Sequence, residues 1–84
     1  MKIYRPSGKC NLCGTAVRRL RKQAGLSQEE LAAKIQLFGL DLTQKAISRI
    51  ETGDRVVADY ELVYLSKALD VTFEELLTHE DLIL

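Results

Sequence analysis

Residues 27–53 decide the fold of this chain, and they read SQEELAAKIQLFGLDLTQKAISRIETG. Ser27 and Glu30 have the spacing of a capping box, in which a hydroxyl and a carboxylate each satisfy an unpaired amide at a helix start. Thr43 can cap a further helix, and Gly53 can end it in the left-handed conformation. The segment therefore predicts two short, closely connected helices, at residues 28–37 and 44–52.

The sequence on either side has the same helical character. Apolar residues recur every three or four positions, and strand-like alternation is almost absent. Asn11 and Gly25 can cap the two ends of a helix over about residues 12–24, and Asp59 can start another that reaches about Leu69. Together with the central segment, these features predict four helices.

A fifth, short helix is predicted from Thr72 and Glu75, which form a second capping box. Five helices with connections of a few residues indicate an all-α domain. The apolar residues expected to face its core are Leu12, Ala16, Val17, Leu20, Ala24, Leu31, Ala32, Ile35, Ala46, Ile47, Ile50, Leu62, Val63, Leu65, Ala68, Leu69, Phe73, Leu76 and Leu77.

Length and composition limit the chain to one small globular domain. Its 84 residues, 46% hydrophobic and 29% charged, leave no room for a second core or for the cofactor-binding sheets of most enzymes. We expect a basic arm at residues 1–9, a domain at 10–78 and a tail at 79–84. No apolar run approaches the roughly 18 residues of a membrane span, and no secretory signal is present, so the expected location is the cytoplasm without membrane contact.

The formal net charge of zero hides a strong asymmetry. Residues 1–55 carry eleven positive and five negative side chains, a balance of +6, whereas residues 56–84 carry one positive and seven negative, a balance of −6. Such a division suggests one pole that faces an anionic partner and one that does not. Uneven solvated helix faces would give the same counts.

The polar residues at the start of the third predicted helix have the chemistry to read DNA bases. Gln pairs with two groups of adenine, Arg with two acceptors of guanine, and Lys with guanine or phosphate. The predicted base-reading residues, opposite the apolar face of that helix, are Gln44, Lys45, Ser48 and Arg49. The alternative is that they form the polar side of an ordinary amphipathic helix.

Three motifs occur in a fixed order over residues 20–77: LRxxxGLSQEELA, then TQxAISRIExG, then LxxLxxALxV. Together they resemble the lambda-repressor-like helix-turn-helix family of DNA-binding domains, the Cro/cI or XRE type. The resemblance implies a compact five-helix fold that binds double-stranded DNA, with the third helix in the major groove. It implies a transcriptional regulator, expected to repress by occupying a promoter, although activation is equally compatible with the sequence.

The resemblance also implies roles for individual residues. Residues at helix starts and just after the third helix clamp phosphates in this family. Arg18, Arg19 and Lys22 of the first helix are expected to form a solvated basic face near the DNA, from which phosphate contact is possible. Asp54 departs from the family, which usually has a basic residue there, so Arg55 is expected to take over that contact. Arg21 and Glu51 match positions that form a partly buried ion pair in relatives. The predicted phosphate contacts are Arg19, Lys22, Gln28, Thr43, Thr52 and Arg55.

The turn between the second and third helices is longer than in the resembled family. Two residues commonly separate the last apolar residue of the second helix from the cap of the third, whereas seven separate Ile35 from Thr43 here. The insertion is rich in apolar residues. We therefore expect the second helix to extend and the loop to pack on its own side chains, Leu37, Phe38, Leu40 and Leu42.

Cys10 and Cys13 have the spacing of half a zinc site. A structural zinc requires four ligands, and His79 is the only other soft ligand in the sequence. We predict two ordinary thiols and neither metal nor cofactor; a redox switch, or a metal shared between two chains, is the alternative. No catalytic constellation is recognisable, so the chain is not expected to be an enzyme.

A single short helix reads few base pairs, so the expected DNA-binding form is a homodimer on a two-fold operator. The rival interpretation is a protein-interaction module, such as an antitoxin-like or regulatory subunit, whose C-terminal face binds another protein. Leu82, Ile83 and Leu84 end the chain and could contribute to such a face or to the dimer. The two interpretations are compatible, because the basic and acidic poles offer different surfaces.

Overall fold

A computed structural model describes residues 8–77 of the chain. The first seven residues of the predicted arm and the segment from residue 78 onward, His79 included, lie outside the described residues. The described part contains five α-helices and no strand, which confirms the predicted all-α fold. The helices are α1 (Gly14–Gln23), α2 (Gln28–Leu37), α3 (Gln44–Thr52), α4 (Asp59–Leu69) and α5 (Phe73–Leu77).

The central pair of helices has the predicted bounds because its caps form as the sequence indicates. Ser27 Oγ accepts from the Glu30 amide at 3.0 Å, and Glu30 Oε1 accepts from the Ser27 amide at 2.9 Å. Hydrogen bonding of the carboxylate to Ser27, chiefly to the Ser27 amide, lowers the pKa of the Glu30 carboxyl. Thr43 Oγ1 accepts from the Ala46 amide at 3.1 Å. Gly53 ends α3 with a φ of 83°, a conformation that costs glycine little.

The second capping box also forms at the start of α5. Thr72 Oγ1 accepts from the Glu75 amide at 3.1 Å, and Glu75 Oε1 accepts from the Thr72 amide at 3.2 Å. Both boxes depend only on residues three apart in sequence. This is why the sequence predicts them correctly.

Two of the predicted helix starts are wrong. The first helix begins at Gly14, two residues later than expected, although Asn11 Oδ1 does accept from the Gly14 amide at 2.8 Å. Asp59 is the first residue of α4 and not its cap. Ala58 occupies the cap position, and its amide donates to the Glu61 carboxylate at 2.9 Å. The cap position of α4 therefore provides no side-chain hydrogen bond, and Glu61 instead accepts from the amide of the cap residue.

The core lies where α1 packs on α3, α4 and α5, and where α2 packs on α3 and α4. Ile47 and Ile50 bury the inner face of α3 against this core. At about 1.5–3 kcal/mol for each fully buried large aliphatic side chain, such contacts fix which face of α3 points outward. The largest fully buried side chains are Cys13, Val17, Leu31, Ile35, Ile47, Ile50, Leu65 and Leu76.

Four residues predicted to be in the core are exposed. Ala24 lies at the end of α1, and Val63, Phe73 and Leu77 lie on the outer surface of α4 and α5. Phe73 keeps half of its surface in contact with solvent. Apolar residues cover more of the circumference of α4 and α5 than one buried face requires. Periodicity alone therefore does not tell which of them face the core. Within residues 8–77, an apolar surface on these two helices is left exposed.

The lengthened turn spans residues 38–43 and packs only in part. Leu42 is 3% exposed and belongs to the core, and Leu40 is half-buried, whereas Leu37 is 87% exposed and Phe38 is also exposed. Helix α2 ends at Leu37 as predicted, but the expectation that all four apolar side chains would pack is wrong. The chain reverses at the end of α2, where the Leu40 amide returns to the Ile35 carbonyl at 3.4 Å, so only the later leucines reach the core.

None of the helices within residues 8–77 is both long and apolar enough to cross a membrane.

Candidate nucleic-acid interface

The outer face of α3 carries the four predicted base-reading residues. Gln44, Lys45 and Arg49 are exposed and Ser48 is partly exposed, while Ile47 faces the core. Thr43 lies just before them as the cap of the helix. The side chains of one helical turn and the start of the next are therefore directed away from the domain, as contact with a groove of DNA requires.

A chain of hydrogen bonds connects this face to the interior. Gln44 Nε2 donates to Gln28 Oε1 at 2.7 Å, and Gln28 Nε2 donates to Glu51 Oε1 at 3.0 Å. The first residues of α2 and α3 are thus joined side chain to side chain. Gln44 keeps its amide oxygen and one N–H for another partner, which is the pair of groups that bidentate contact with adenine uses. The sequence did not predict this link, since the two glutamines are sixteen positions apart.

Arg21 of α1 pairs with Glu51 of α3 beneath the same surface. Arg21 Nε lies 2.6 Å from Glu51 Oε2 and Nη2 lies 3.0 Å from Oε1, with side chains 10% and 3% exposed. Arg21 Nη1 also donates to the Leu26 carbonyl at 2.8 Å. The bond to Glu51 raises the pKa of the guanidinium. The pair that the family resemblance implied is therefore present, and it holds α1, α3 and the α1–α2 connection together.

The residues that follow α3 are already engaged with one another. The exposed Thr52 hydroxyl is 2.9 Å from Asp54 Oδ2 and 3.2 Å from the Arg49 carbonyl. Asp54 therefore adds negative charge next to a predicted phosphate contact. A phosphate that binds Thr52 would have to approach from the side away from this carboxylate.

Arg55, predicted to contact phosphate, forms an ion pair within the chain. Its Nη1 and Nη2 each lie 2.8 Å from the oxygens of Glu61, and Nη1 also donates to the Val56 carbonyl at 3.0 Å. Glu61 is buried at the start of α4. The bond to Arg55 lowers the pKa of the Glu61 carboxyl and raises that of the guanidinium. Arg55 keeps only Nε–H and one Nη2–H for a phosphate.

The cations of α1 offer a separate basic surface. Arg19 and Lys22 are exposed, as is Arg18, and all three point away from the buried side of the helix. Between Arg55 and residue 77, the acids lie mainly on α4 and α5. The charge asymmetry of the sequence thus becomes a difference between α1–α3 and α4–α5.

The cysteines lie at and just before the start of α1. Cys13 is buried, and burial raises the pKa of its thiol to about 11. Cys10 is half-buried, and both thiols are free. Among residues 8–77, no three His, Cys, Asp or Glu side chains gather in a way that could hold a metal ion.

A small helical domain that buries one face of its third helix and presents the polar face beside the start of its second is a helix-turn-helix DNA-binding domain. The helix-turn-helix family model matches residues 17–76. The chain belongs to this family, in its lambda-repressor-like or XRE branch, and is a DNA-binding regulator of transcription whose ligand is double-stranded DNA.

Among solved structures, the chain is similar to the restriction-modification controller protein C.AhdI from Aeromonas hydrophila. The two sequences are 35% identical, and the similarity covers 75% of this chain and 84% of the controller protein, with a TM-score of 0.67. A comparison with curated proteins gives no match.

Replacing Arg21 with Met should lower the free energy of unfolding by about 3 kcal/mol, the low end for breaking one side of a buried ion pair, because this pair lies close to the surface. The Glu51 carboxylate would remain buried without its cation. Arg18→Met on the exposed side of the same helix is the control and should change stability by less than about 0.5 kcal/mol. Urea unfolding at pH 7 measures both; equal stabilities would contradict a structural role for the pair.

The Arg55–Glu61 pair should make stability depend on pH. The pKa of Glu61 is lower in the folded protein than its ordinary value of 4.5, so the stabilisation is complete above that value and is lost as the pH falls through the folded pKa. Glu61→Gln, which cannot titrate, should lose less stability than the wild type between about pH 6 and pH 3. Arg55→Met should also flatten the curve, and unchanged slopes in both variants would refute this assignment.

Proposed function

We propose that this chain recognises a specific sequence of double-stranded DNA by placing the start of α3 in the major groove. The observation that carries the proposal is the outward face of α3, whose Gln44 is oriented by Gln28 in a domain of the helix-turn-helix family. The B-DNA major groove is wide enough for a helix, and each base pair presents a distinct pattern of donors and acceptors there. The base-reading residues are Gln44, Lys45, Ser48 and Arg49.

The DNA backbone would be held at the two helix starts that flank this face. Gln28 and Thr43 stand at the positive ends of α2 and α3, where amides and the helix dipole favour phosphate. Arg19 and Lys22 of α1 would add contacts on one side, and Thr52 would add one after α3. Because Glu61 already engages Arg55, we assign Arg55 a secondary phosphate contact through its remaining donors and a main role in joining α3 to α4.

The distribution of charge supports this orientation. The cations of α1 and α3 would face the duplex, and the acids of α4 and α5 would face away from it. Attraction at one pole and repulsion at the other orient the approaching protein and limit binding in the wrong direction. The paired acids of the helix starts need no catalytic role, because Glu30 and Glu75 are capping residues; we infer a binding protein and not an enzyme.

The active form is proposed to be a homodimer that uses the outer surface of α4 and α5. Tyr60 and Val63 are one turn apart on α4, Phe73 and Leu77 one turn apart on α5, and all four are exposed in the single chain. Apolar residues gathered on two neighbouring helices are typical of an interface. Two α3 helices related by a two-fold axis would read half-sites about 34–36 Å apart.

The similarity to C.AhdI suggests the genes that are regulated. C.AhdI is a restriction-modification controller protein, and 35% identity over most of both chains supports a related regulatory role here. We propose control of a restriction-modification operon, with repression when the dimer occupies the promoter. The second candidate is binding of another protein at the C-terminal face, and the same exposed residues of α4 and α5 favour it.

Selection from pooled duplex DNA should enrich one motif with two-fold symmetry, and binding to it should weaken steeply with salt as counterions are released. Replacing both Gln44 and Arg49 with Ala should reduce the preference for that motif over random duplex by at least about tenfold. The matched control is Lys34→Ala, which removes an exposed cation from the last turn of α2 and should keep the preference. If the double variant selects the same motif as the wild type, α3 does not read the bases.

Val63→Glu should separate the dimer and weaken binding to the two-fold site, because it places a charge in the proposed interface. Val56→Glu makes the same change at an exposed valine outside α4 and should leave the dimer intact. Sedimentation at the concentrations used for DNA binding measures the effect. A wild-type protein that is monomeric on its two-fold site would disprove the homodimer; a dimer unaffected by Val63→Glu would place its interface elsewhere and leave this surface to a protein partner.

A further inference from the structure

Residues 9–11 lie across the C-terminal end of α3, about forty positions away in sequence. Lys9 Nζ donates to the Thr52 carbonyl at 3.0 Å, and the Cys10 amide donates to the Gly53 carbonyl at 2.8 Å. Asn11 Nδ2 donates to the Ile50 carbonyl at 3.1 Å and to the Arg55 carbonyl at 2.7 Å. We refer to residues 9–11 as the strap.

The strap satisfies carbonyls that the helix itself leaves unpaired. The last four carbonyls of any helix lack partners within it, and the residues that immediately follow usually supply the donors. Here the amides of Gly53 and Asp54 donate to Ile50 and Arg49, and the strap supplies the donors to Thr52 and Gly53 and a second one to Ile50. The carbonyls at the end of α3 thus have donors both in the residues that follow the helix and in the strap.

The strap and the start of α1 are also packed tightly against the end of α3. A Cβ atom on Gly14 would collide with the Ile50 carbonyl, so the start of α1 and the end of α3 meet backbone to backbone. The methylenes of the Lys9 side chain cover Gly53, where a Cβ would collide with them. The end of α3 therefore cannot tilt or unwind without displacing the strap.

The two ends of α3 are held differently. At its N-terminal end, α3 follows the lengthened turn of residues 38–43, of which Phe38 and Gly39 are exposed. At the other end, the strap adds long-range hydrogen bonds from a segment that precedes the family match at residues 17–76. The strap is therefore an addition to the part of the chain that the family model covers.

We propose that the strap sets the position from which α3 reads DNA and that Asn11 is the positioning residue for base discrimination. This inference rests on the proposed function of α3. Arg49, a proposed base reader, immediately precedes Ile50, whose carbonyl Asn11 holds. Hydrogen bonds to base edges tolerate only a few tenths of an ångström, so displacement of this turn removes discrimination while leaving phosphate attraction in place.

Asn11→Asp separates positioning from helix capping. Aspartate keeps the acceptor for the Gly14 amide but loses both donations from Nδ2, to Ile50 and to Arg55. Its preference for the selected motif over random duplex should fall about tenfold. The added negative charge weakens binding to the motif and binding to random duplex alike. The ratio of the two affinities therefore reports positioning alone. Thr72→Ala, which removes the cap of α5 without touching α3, is the matched control and should keep the wild-type ratio.

All ratios are measured at a temperature where circular dichroism shows each variant to be fully helical. Hydrogen exchange of the wild-type protein tests the strap without any variant, because the Cys10 amide should be protected by the Gly53 carbonyl. An unprotected Cys10 amide overturns the inference, as does a wild-type ratio for Asn11→Asp when the Gln44→Ala, Arg49→Ala variant has lost its preference. If that double variant keeps its preference, the proposed function of α3 fails and the inference fails with it.

Discussion

The carboxylate of Glu51 is the point on which the DNA-facing part of the domain depends. It accepts from Arg21 of α1 and Gln28 of α2, and its own backbone belongs to α3. One nearly buried group therefore fixes the relation among three helices, and through Gln28 it also orients Gln44. A charged group in this place costs desolvation energy, which two partners with good geometry offset. The same interaction stabilises the fold and prepares the surface that contacts DNA.

Local chemistry made much of the fold predictable. The two capping boxes and the Thr43 cap depend on residues three apart, and the helices they start have the predicted bounds. Arg21 and Glu51 were paired from the family resemblance, because a separation of thirty positions puts the pair beyond any local pattern. The outward face of α3 followed from the position of its isoleucines.

Contacts between distant residues could not be predicted in the same way. Nothing in the sequence near Asn11 indicates that its side chain reaches the end of α3, and nothing near Arg55 indicates that its partner is Glu61. Apolar periodicity also failed for Val63 and Phe73, because a helix that is apolar on two sides has no feature that separates core from interface. The neutral net charge was uninformative for a related reason, because most of the positive and most of the negative side chains lie on different helices.

The strap has a consequence for the order in which the domain assembles. Its hydrogen bonds to the carbonyls of residues 50–55 span 39 to 44 positions, whereas the caps and helices form from neighbouring residues. During synthesis, residues 9–11 leave the ribosome well before the helix end they bind exists. Closing so long a loop loses more chain entropy than forming a helix turn, and long-range contacts are gained later than local ones. The strap is made before α3 and is nevertheless among the last segments to reach its final place, so α3 acquires its fixed end only when nearly the whole domain is available.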